Sequence, residues 1–486
     1  MAKNTARARK LARRAERAAK TLEPAAPAAH AKGATIVQRY DAAGSGRRLR
    51  GWIAPASGPN RAINGSAATL RNRSRDAARN EWSAKAAQNR WRVNLIGTGI
   101  VPRPRAVTPE QKAAYVKLWD DWCAVSDADG VLDFYGQQAM VANGVEESGE
   151  VFVRLRPRRT TDGLPVPLQI QVIEADQCPI QDFRAPNGNE VLSGIEFNAL
   201  GKRVAYWLTR GHPGDSTTGS GLDTVRVPAE TVLHIYEPTR PGQLRGVPQS
   251  APILAKLRGI GNFDDAVMHR QEISNLFTAF ITSPPGGPAA TDPLTGQPIK
   301  LTDDGMPMAP MEPGTSQCLL PGEDVKFSEP PGPGADYDDY MRIQSQHLAA
   351  GQGLPAELLT GDLRDISDRT LRVMINEFRR HCEQRQWLCY IPMLCQPVRK
   401  AWANAAWMAG LVDDPDSAAS VLWVPQGWAY IHPTQDAEAE KLQVDNGFRS
   451  RSQIITRRGD DPETIDAERA EDAAREKRLN LTPAER

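Results

Sequence analysis

Three things are scarce in this sequence: cysteine, long apolar runs and net charge. Six cysteines among 486 residues are too few and too scattered for a disulfide framework, so we expect a reducing compartment. No apolar run approaches the roughly 20 residues that span a bilayer, so we expect no membrane partner. The basic opening segment MAKNTARARKLARRAERAAK (Met1–Lys20) lacks an apolar centre, which argues against a secretory signal. The sequence therefore indicates a soluble intracellular protein, or one that is assembled inside a cell.

The formal charges nearly cancel, since 60 Lys and Arg residues face 59 Asp and Glu residues. This balance argues against a basic coat that binds nucleic acid over the whole surface, although charge can still be segregated locally. The local case is the arginine-dense stretch from Arg47 to Arg105. It predicts a helix with one apolar stripe and a cationic back. We expect that cationic back to pair with acidic neighbours rather than with phosphates.

Motifs for nucleotide or metal chemistry are missing as well. The phosphate-cradling pattern GxxxxGK[ST] does not occur, and GTG at 97–99 lacks the rest of a dinucleotide fingerprint. The cysteines of CEQRQWLCYIPMLC have the wrong spacing for a zinc knuckle. In the turn DADG at 127–130, Val125 stands where a calcium loop needs its first acidic ligand, so the turn is structural. We therefore expect no cofactor and no metal site.

One loop, RGHPGDSTTGSG, brings His212, Asp215 and Ser216 together in the sequence. A hydrolase triad uses these residue types, but its members are normally brought together by the fold. We therefore expect the loop to be structural and the chain not to be an enzyme. A hydrolase or nuclease at this loop is one alternative. A monomeric DNA-binding module that uses the arginine-dense stretch is the other.

Helical and alternating patterns divide the chain into an α+β fold. β-Branched and aromatic residues recur with period two from about 150 to 237, which predicts a mostly antiparallel β region packed on earlier helices. A long helical pattern runs from Ser250, which can cap it, to Ser283. The Pro- and Gly-rich residues 284–334 predict a small irregular β module, and a second helix follows at 335–350.

The segment GQGLPAELLTGDLRDISDRT (Gly351–Thr370) separates that second helix from the next one. We call this segment the bend. Its glycines and proline end one helix, and Ser367 can cap the helix that follows. Leucines and charged residues are interspersed in it, which is not typical of a plain solvated linker. We expect the leucines to pack behind the bend or against another subunit.

The order of several phrases resembles the lambda-type family of tailed-phage portal proteins from about Arg39 to Glu471. In chain order the phrases are RYDAAGSGRRLRGW, VNLIGTGIVPRP, DADGVLDFYGQQ, ESGEVFVRLRPR, YEPTRPGQLRGVPQSAPIL, LLPGEDVKFSEPPGPGADYDDYM, GLPAELLTGDL, NEFRRHCEQ and FRSRSQIITRRGDDPETI. Each phrase alone is modest, but their order is specific. Two positions depart from the family pattern. DISDRT in the bend replaces an Asn-Tyr-Ser-Ser-like sequence, and His432 stands where an Asp before Pro is usual, a change that we expect to affect only local capping.

The resemblance implies a portal-protein fold with an α/β wing, long stem helices, a small β-containing clip and a helical crown. Such proteins form rings, usually of twelve subunits. Carried over to this chain, the parts are a flexible basic arm at 1–35, the wing at 36–249, a first stem helix at 250–283, the clip at 284–334, a second stem helix at 335–350, a tunnel loop at 351–369, a helical return to the wing at 370–433, and a crown with a C-terminal tail at 434–486.

The resemblance also implies a function. A portal ring is assembled in the host cytoplasm and occupies one capsid vertex of the virion. It contacts the major capsid protein or scaffold, docks the terminase large subunit during filling, and later holds head-completion or adaptor proteins. Double-stranded DNA passes through its channel during packaging and ejection. ATP hydrolysis would belong to the terminase, because this chain has no nucleotide loop.

In such a ring the tunnel loop faces the passing DNA. Arginines would touch phosphates briefly, and aspartates would keep that contact weak, because strong phosphate binding slows sliding. The expected DNA-facing residues are Asp362, Arg364, Asp365, Asp368 and Arg369. The expected stem and channel charges are Lys256, Arg258, Arg270 and Arg342. For Asp365 and Ser367, capping of the following helix is an equal alternative.

Overall fold

The computed structural model describes Arg47 and residues 50–105, 108–215, 223–274, 279–282, 324–327, 337–364 and 366–479. The chain divides into two compact units, Met1–Ser57 and Gly58–Arg486. The expected arm at 1–35 and most of the expected clip at 284–334 lie outside the described residues, as do Ser216 and Asp365.

All the described α-helices belong to the second unit. In chain order they are α1 (Pro59–Asn64), α2 (Ala67–Asn80), α3 (Trp82–Leu95), α4 (Pro109–Cys123), α5 (Phe134–Ser148), α6 (Leu254–Ser274), α7 (Tyr337–Gly351), α8 (Ala356–Thr360), α9 (Asp368–Arg385), α10 (Gln396–Met408), α11 (Pro415–Ala419), α12 (Pro433–Asp445), α13 (Arg451–Arg457) and α14 (Pro462–Leu479). A π-helical segment, Gln386–Cys395, joins α9 to α10 and contains Pro392.

The described strands form four sheets, and every pairing between named strands is antiparallel. The strands are β1 (Val101–Pro104), β2 (Glu150–Pro157), β3 (Leu168–Glu174), β4 (Phe183–Arg184), β5 (Glu190–Leu192), β6 (Ile195–Phe197), β7 (Arg203–Thr209), β8 (Thr224–Pro228), β9 (Val232–Tyr236), β10 (Ala279–Thr282), β11 (Asp324–Phe327) and β12 (Val421–Val424). The sheet orders are β3-β2-β9, β4-β5-β6-β7-β8, β1-β12 and β10-β11. The predicted antiparallel β region at about 150–237 and the α+β class are therefore confirmed.

Aromatic side chains fill the centre of the helical core. Trp119 of α4 lies with its ring centroid 4.9 Å from that of Trp122, 5.4 Å from that of Phe134 and 5.3 Å from that of Trp402. Each of the four side chains is at most 2% exposed. Helix α4 can begin sharply before this cluster because Thr108 and Gln111 form a capping box. Rings at these separations and tilts pack favourably, so α4, α5 and α10 share one core.

The arginine-dense helix is two helices rather than one. Glu81 has an extended backbone, with φ −112° and ψ 118°, and it ends α2 and precedes α3. The break allows α2 to pack on α6 while α3 packs on α8 and α9. Trp82, the first residue of α3, is 58% exposed. Both α2 and α3 also pack on α5.

The long helix predicted from Ser250 to Ser283 is shorter at both ends. It begins at Leu254, and the Ser250 hydroxyl, predicted to cap it, bonds that of Ser74 at 2.8 Å. The helix is described as far as Ser274, and Ala279–Thr282 forms β10, which pairs with β11, so the helix does not reach Ser283. The second predicted helix, at 335–350, matches α7.

The DADG turn is structural, as predicted. The Asp127 carboxylate is buried and accepts hydrogen bonds from the backbone N–H groups of Asp129, Val131 and Leu132 at 3.0 to 3.1 Å, and from the Gln137 amide at 2.9 Å. These donors occupy the oxygens that a cation would need. Among the described residues, no helix is long and apolar enough to cross a membrane.

Candidate functional site

The bend is built around one short helix rather than being an open loop. After α7 ends, Gly353 takes a left-handed conformation with φ +69°, and Pro355 precedes α8. Gly361, with φ +75°, ends α8. The chain then turns into α9, where the Ser367 hydroxyl accepts a hydrogen bond from the Thr370 N–H at 3.2 Å. The predicted cap at Ser367 is confirmed. The segment expected to be a tunnel loop, 351–369, contains the helix Ala356–Thr360, which the sequence pattern had not indicated.

Helix α3 fastens the bend from behind. The Trp91 indole N–H donates to the Gln352 carbonyl at 3.0 Å, and the Arg90 Nε donates to the Leu358 carbonyl at 2.9 Å. Leu354 and Leu359 are 5% and 4% exposed and belong to the main core. The apolar half of the bend is therefore packed within its own chain. Buried leucines are also the reason why so short a helix is stable there.

The charged half of the bend is tied to α7 through Arg364. Its guanidinium lies 2.8 Å from an oxygen of Asp362 and 2.9 Å from an oxygen of Asp338. Arg342 of α7 donates to the Arg364 carbonyl at 3.2 Å. Hydrogen bonds from Arg364 lower the pKa of both carboxyl groups below their ordinary values. Arg364 and Asp362, both predicted to face DNA, thus compensate each other's charge, and Arg342 lies beside them.

Asp368 and the unusual His432 are partners. The His432 Nε2 lies 2.7 Å from an Asp368 carboxylate oxygen, and Arg372 lies 3.6 Å from the same oxygen. His432 precedes α12 but makes no side-chain capping bond. Asp436 does the capping instead, because it accepts from the backbone N–H groups of Ile431 and His432. We had expected the departure at His432 to affect only local capping. That expectation is wrong, because His432 links the start of α12 to the start of α9.

Arg369 stands apart from these pairs. It lies in the first turn of α9 and is exposed. It makes no ion pair with any carboxylate in the described part of the chain. Leu363 is also exposed, at 57%. The bend and the first turn of α9 therefore each expose one side chain, the apolar Leu363 and the cationic Arg369.

Helices α6 and α7 lie against each other and carry the expected stem charges. Phe263 stacks with Tyr337, with ring centroids 6.3 Å apart, and the Tyr337 hydroxyl donates to Asp264. Lys256 lies 2.6 Å from the His347 Nδ1. The remaining charges are distributed along the pair, with Arg258 4.0 Å from Glu81, Arg270 exposed on α6 and Arg342 on α7.

In the described part of its loop, His212 belongs to a cluster of ionisable side chains, while Ser216 lies outside the described residues. The His212 Nε2 lies 3.3 Å from Glu174 and 3.7 Å from Asp176. Arg75 binds both carboxylates at 2.7 Å. Although Glu174, Asp176 and His212 lie close enough to offer ligands to a metal ion, Arg75 already compensates the two acids. The Asp215 N–H donates to the His212 carbonyl, so Asp215 meets His212 through the backbone.

Two of the four arginines of α2, Arg71 and Arg75, pair with acids of the β region, as predicted for the arginine-dense stretch, whereas Arg73 and Arg79 are exposed. Arg71 lies 3.5 Å from Glu150 and 3.2 Å from Asp176. The same carboxylate of Glu150 is bound by Arg245, whose Nε lies 2.8 Å away, and by the His234 Nε2 at 3.0 Å. Arg245 and Glu150 are both 0% exposed. Sequence reasoning missed this buried network, as it missed the Asp338 partner of Arg364.

Titration of the network is shaped by burial and by its own charges. Burial alone would raise the pKa of Glu150, but the Arg245 guanidinium and the His234 hydrogen bond hold that pKa well below its usual range. Burial lowers the pKa of His234 to about 4, against the pull of Glu150. The network at neutral pH is therefore an ionised carboxylate between an arginine and a neutral histidine.

Comparison with known proteins places the chain among relatives of one kind. Residues 45–386 match the model of the family described as phage portal protein, lambda family. The "Probable portal protein" of Halomonas phage phiHAP-1 is 26% identical over 508 residues, which cover 99% of this chain and 93% of that protein. Portal protein B of Escherichia phage lambda is 20% identical over 499 residues, covering 90% of each chain.

Solved structures with some similarity come from gene transfer agent (GTA) particles. The chain titled "Neck of native GTA particle computed with C12 symmetry" is 14% identical, with a TM-score of 0.41, and the match covers 84% of this chain and 100% of that one. The chain titled "Virion of native gene transfer agent (GTA) particle" is 15% identical, with a TM-score of 0.42, and the match covers 82% of this chain and 94% of that one.

Proposed function

Because the chain belongs to the lambda family of phage portal proteins, we propose that it forms the ring-shaped channel at one vertex of a phage capsid. Identical subunits, usually twelve, close the ring through head-to-tail contacts. Double-stranded DNA passes through the channel into the head during packaging and out of it during ejection. The ring is assembled in the host cytoplasm and remains in the virion.

The partners follow from that position. The ring contacts the major capsid protein or scaffold at the vertex, binds the terminase large subunit while the head fills, and later binds head-completion or adaptor proteins. The family is structural, and this chain acts without catalysis of its own. The absence of a phosphate-cradling sequence motif supports leaving ATP hydrolysis to the terminase.

The bend is the proposed narrowest passage of the channel, and its charge balance is the observation that carries this assignment. Arg364 is held between Asp338 and Asp362, so it fixes the shape of the bend rather than binding phosphates. Arg369 is exposed and free of carboxylates among the described residues, so it is the arginine of the bend that would touch DNA. One exposed arginine per subunit makes only a weak contact with phosphates, and this suits a passage through which duplex DNA must slide.

Neither alternative function gains a supporting observation. A DNA-binding module would use the arginines of α2, but two of the four, Arg71 and Arg75, already bind acids of the β region, which leaves only Arg73 and Arg79 exposed. A hydrolase would need His212 to meet a nucleophile, but its Nε2 faces Glu174 and Asp176.

Light scattering on the purified chain tests the proposal. Twelve copies of the 53.2 kDa chain give a particle of about 640 kDa, and we expect a closed assembly near that mass with no ATP hydrolysis. The contradicting result is a chain that remains at 53.2 kDa at high concentration and binds duplex DNA tightly as a monomer.

A further inference from the structure

A cavity of about 170 Å³ lies between β1, α4 and α10 and carries two incompletely bonded guanidinium groups. Arg399 of α10 and Arg103 of β1 both line the cavity. Arg399 is 1% exposed. The Arg399 Nε donates to the Ala418 carbonyl at 3.0 Å. Its two terminal nitrogens, and the Nε of Arg103, are buried without a hydrogen-bond partner among the described residues. A buried polar group without a partner is costly, and a buried cation without one more so.

Arg399 is held in place by two indole rings. Its guanidinium carbon lies 4.0 Å from the ring centroid of Trp402 and 4.6 Å from that of Trp119. The rings stabilise the cation through their faces, but they offer no acceptor in the plane of the guanidinium, where its N–H groups point. Burial lowers the pKa of Arg399 to about 9, so the group is still a cation at neutral pH.

One acid at the cavity, Asp120, compensates the two arginines only in part. Asp120 lines the cavity and is exposed. It forms no ion pair with Arg103 or Arg399 within 4.0 Å in the described part of the chain. The cavity therefore contains two arginines from different elements and a single, more distant acid, which leaves an excess of positive charge and of N–H donors.

We propose that this cavity binds one phosphate-sized oxyanion, held by the terminal N–H groups of Arg399 and by Arg103. Guanidinium groups bind such anions through paired, charge-assisted hydrogen bonds. A tetrahedral anion can accept from two guanidinium groups that approach from different elements. The volume suits such an anion with a few waters. By joining β1 to α10, the anion would stabilise the packing of the small sheet β1-β12 on the helical core.

Calorimetric titration of the purified full chain with inorganic phosphate, in chloride buffer, tests the proposal. We expect one saturable site per chain. Arg103→Gln should weaken phosphate binding about tenfold, the effect of losing one charge-assisted contact. Asp120→Asn is the matched control at the same cavity, and it should tighten binding several-fold, because it removes a repelling carboxylate. Arg399→Gln should abolish binding, with circular dichroism to confirm that the variant folds.

Acetate provides the second arm of the experiment. Weaker binding of acetate than of phosphate supports a tetrahedral oxyanion. The proposal is overturned if no saturable phosphate binding occurs up to tens of millimolar, which would mean that waters fill the cavity. It is also overturned if Arg103→Gln binds phosphate like the unchanged chain. The proposal is also overturned if acetate and phosphate bind equally to the free chain and neither binds to the assembled particle. That result would mean that a carboxylate side chain of a second copy occupies the cavity in the assembly.

Discussion

Arg364 of the bend and Asp338 of α7 form an ion pair, with 2.9 Å between a guanidinium nitrogen and a carboxylate oxygen. Asp362 binds the same guanidinium at 2.8 Å. Both Arg364 and Asp338 are more than half exposed, so the pair contributes little to global stability. Its importance is geometric, because it joins the start of α7 to the segment that leads into α9. The bend is thereby held in one arrangement.

Asp338→Asn should release the bend without unfolding the protein. The substitution removes one of the two acids that hold Arg364, so we expect faster amide hydrogen exchange at 361–364 and an unchanged melting temperature. Asp339→Asn is the matched control, since this neighbouring exposed acid makes no contact with Arg364. Equal exchange in the two variants would show that the ion pair does not restrain the bend.

Leu359→Ala should destabilise the protein by about 2–4 kcal/mol, the range for deleting a buried leucine side chain. Leu359 is 4% exposed and packs in the core. Leu363→Ala, four residues later, should be nearly neutral in the free chain because Leu363 is 57% exposed. Denaturant unfolding monitored by circular dichroism compares the two. A small loss for Leu359→Ala would mean that α8 is not anchored.

Arg245→Met should cost about 3–5 kcal/mol, because it leaves the Glu150 carboxylate buried with much of its compensation removed. Arg380→Met is the control, since the Arg380–Glu377 pair is exposed and pairs of that kind contribute roughly 0–1 kcal/mol. Unfolding free energies from denaturant titration measure both. Similar losses would contradict the assignment of Glu150 as an ionised, buried group.

Acid should destabilise the fold through His234. Its pKa is lowered to about 4 in the folded chain, against about 6.5 when unfolded. The unfolded chain therefore binds a proton first as pH falls, so stability is full above about pH 6.5 and is lost down to pH 4, by roughly 3 kcal/mol. His234→Gln should reduce the dependence of the unfolding free energy on pH between about 4 and 6.5. His269→Gln, an exposed control, should leave that dependence unchanged. Chemical denaturation at several pH values gives the slopes.

Arg369→Ala should weaken duplex binding by the assembled particle and reduce its dependence on salt. Each phosphate contact that is lost lowers the slope of log affinity against log salt by about one. Arg73→Ala, another exposed arginine but on α2, is the control and should leave the slope unchanged. Filter binding between 50 and 200 mM salt, the range over which such contacts are ordinarily resolved, measures the difference. An unchanged slope for Arg369→Ala would remove this residue from the DNA path.

Local signals were sufficient for part of this structure. Alternation predicted the β region because one face of each strand meets a core, and the Ser367 cap was readable because it involves residues three apart. Helix α8 could not be predicted by pattern, since five residues depend on Leu359 finding a core. The Arg245–Glu150 pair joins residues 95 apart, and no periodicity encodes such a contact.

The same distinction holds for the candidate site. Sequence located the bend and the residue types in it, and its prediction that the arginine-dense stretch pairs with acids was right for Arg71 and Arg75. It could not tell Arg364 from Arg369, because Arg364 is held by Asp362 in the folded bend and by Asp338 on another helix. The acidic first turn of α7 was the one available signal.

Electron cryomicroscopy of the purified full-length assembly, at a resolution that traces the backbone, tests the central claim most directly. We predict an annulus with a central hole, in which the bend lies at the narrowest point and the first turn of α9 directs Arg369 towards the hole. A particle without a hole, or a ring in which the bend lies at the outer rim, would contradict the account.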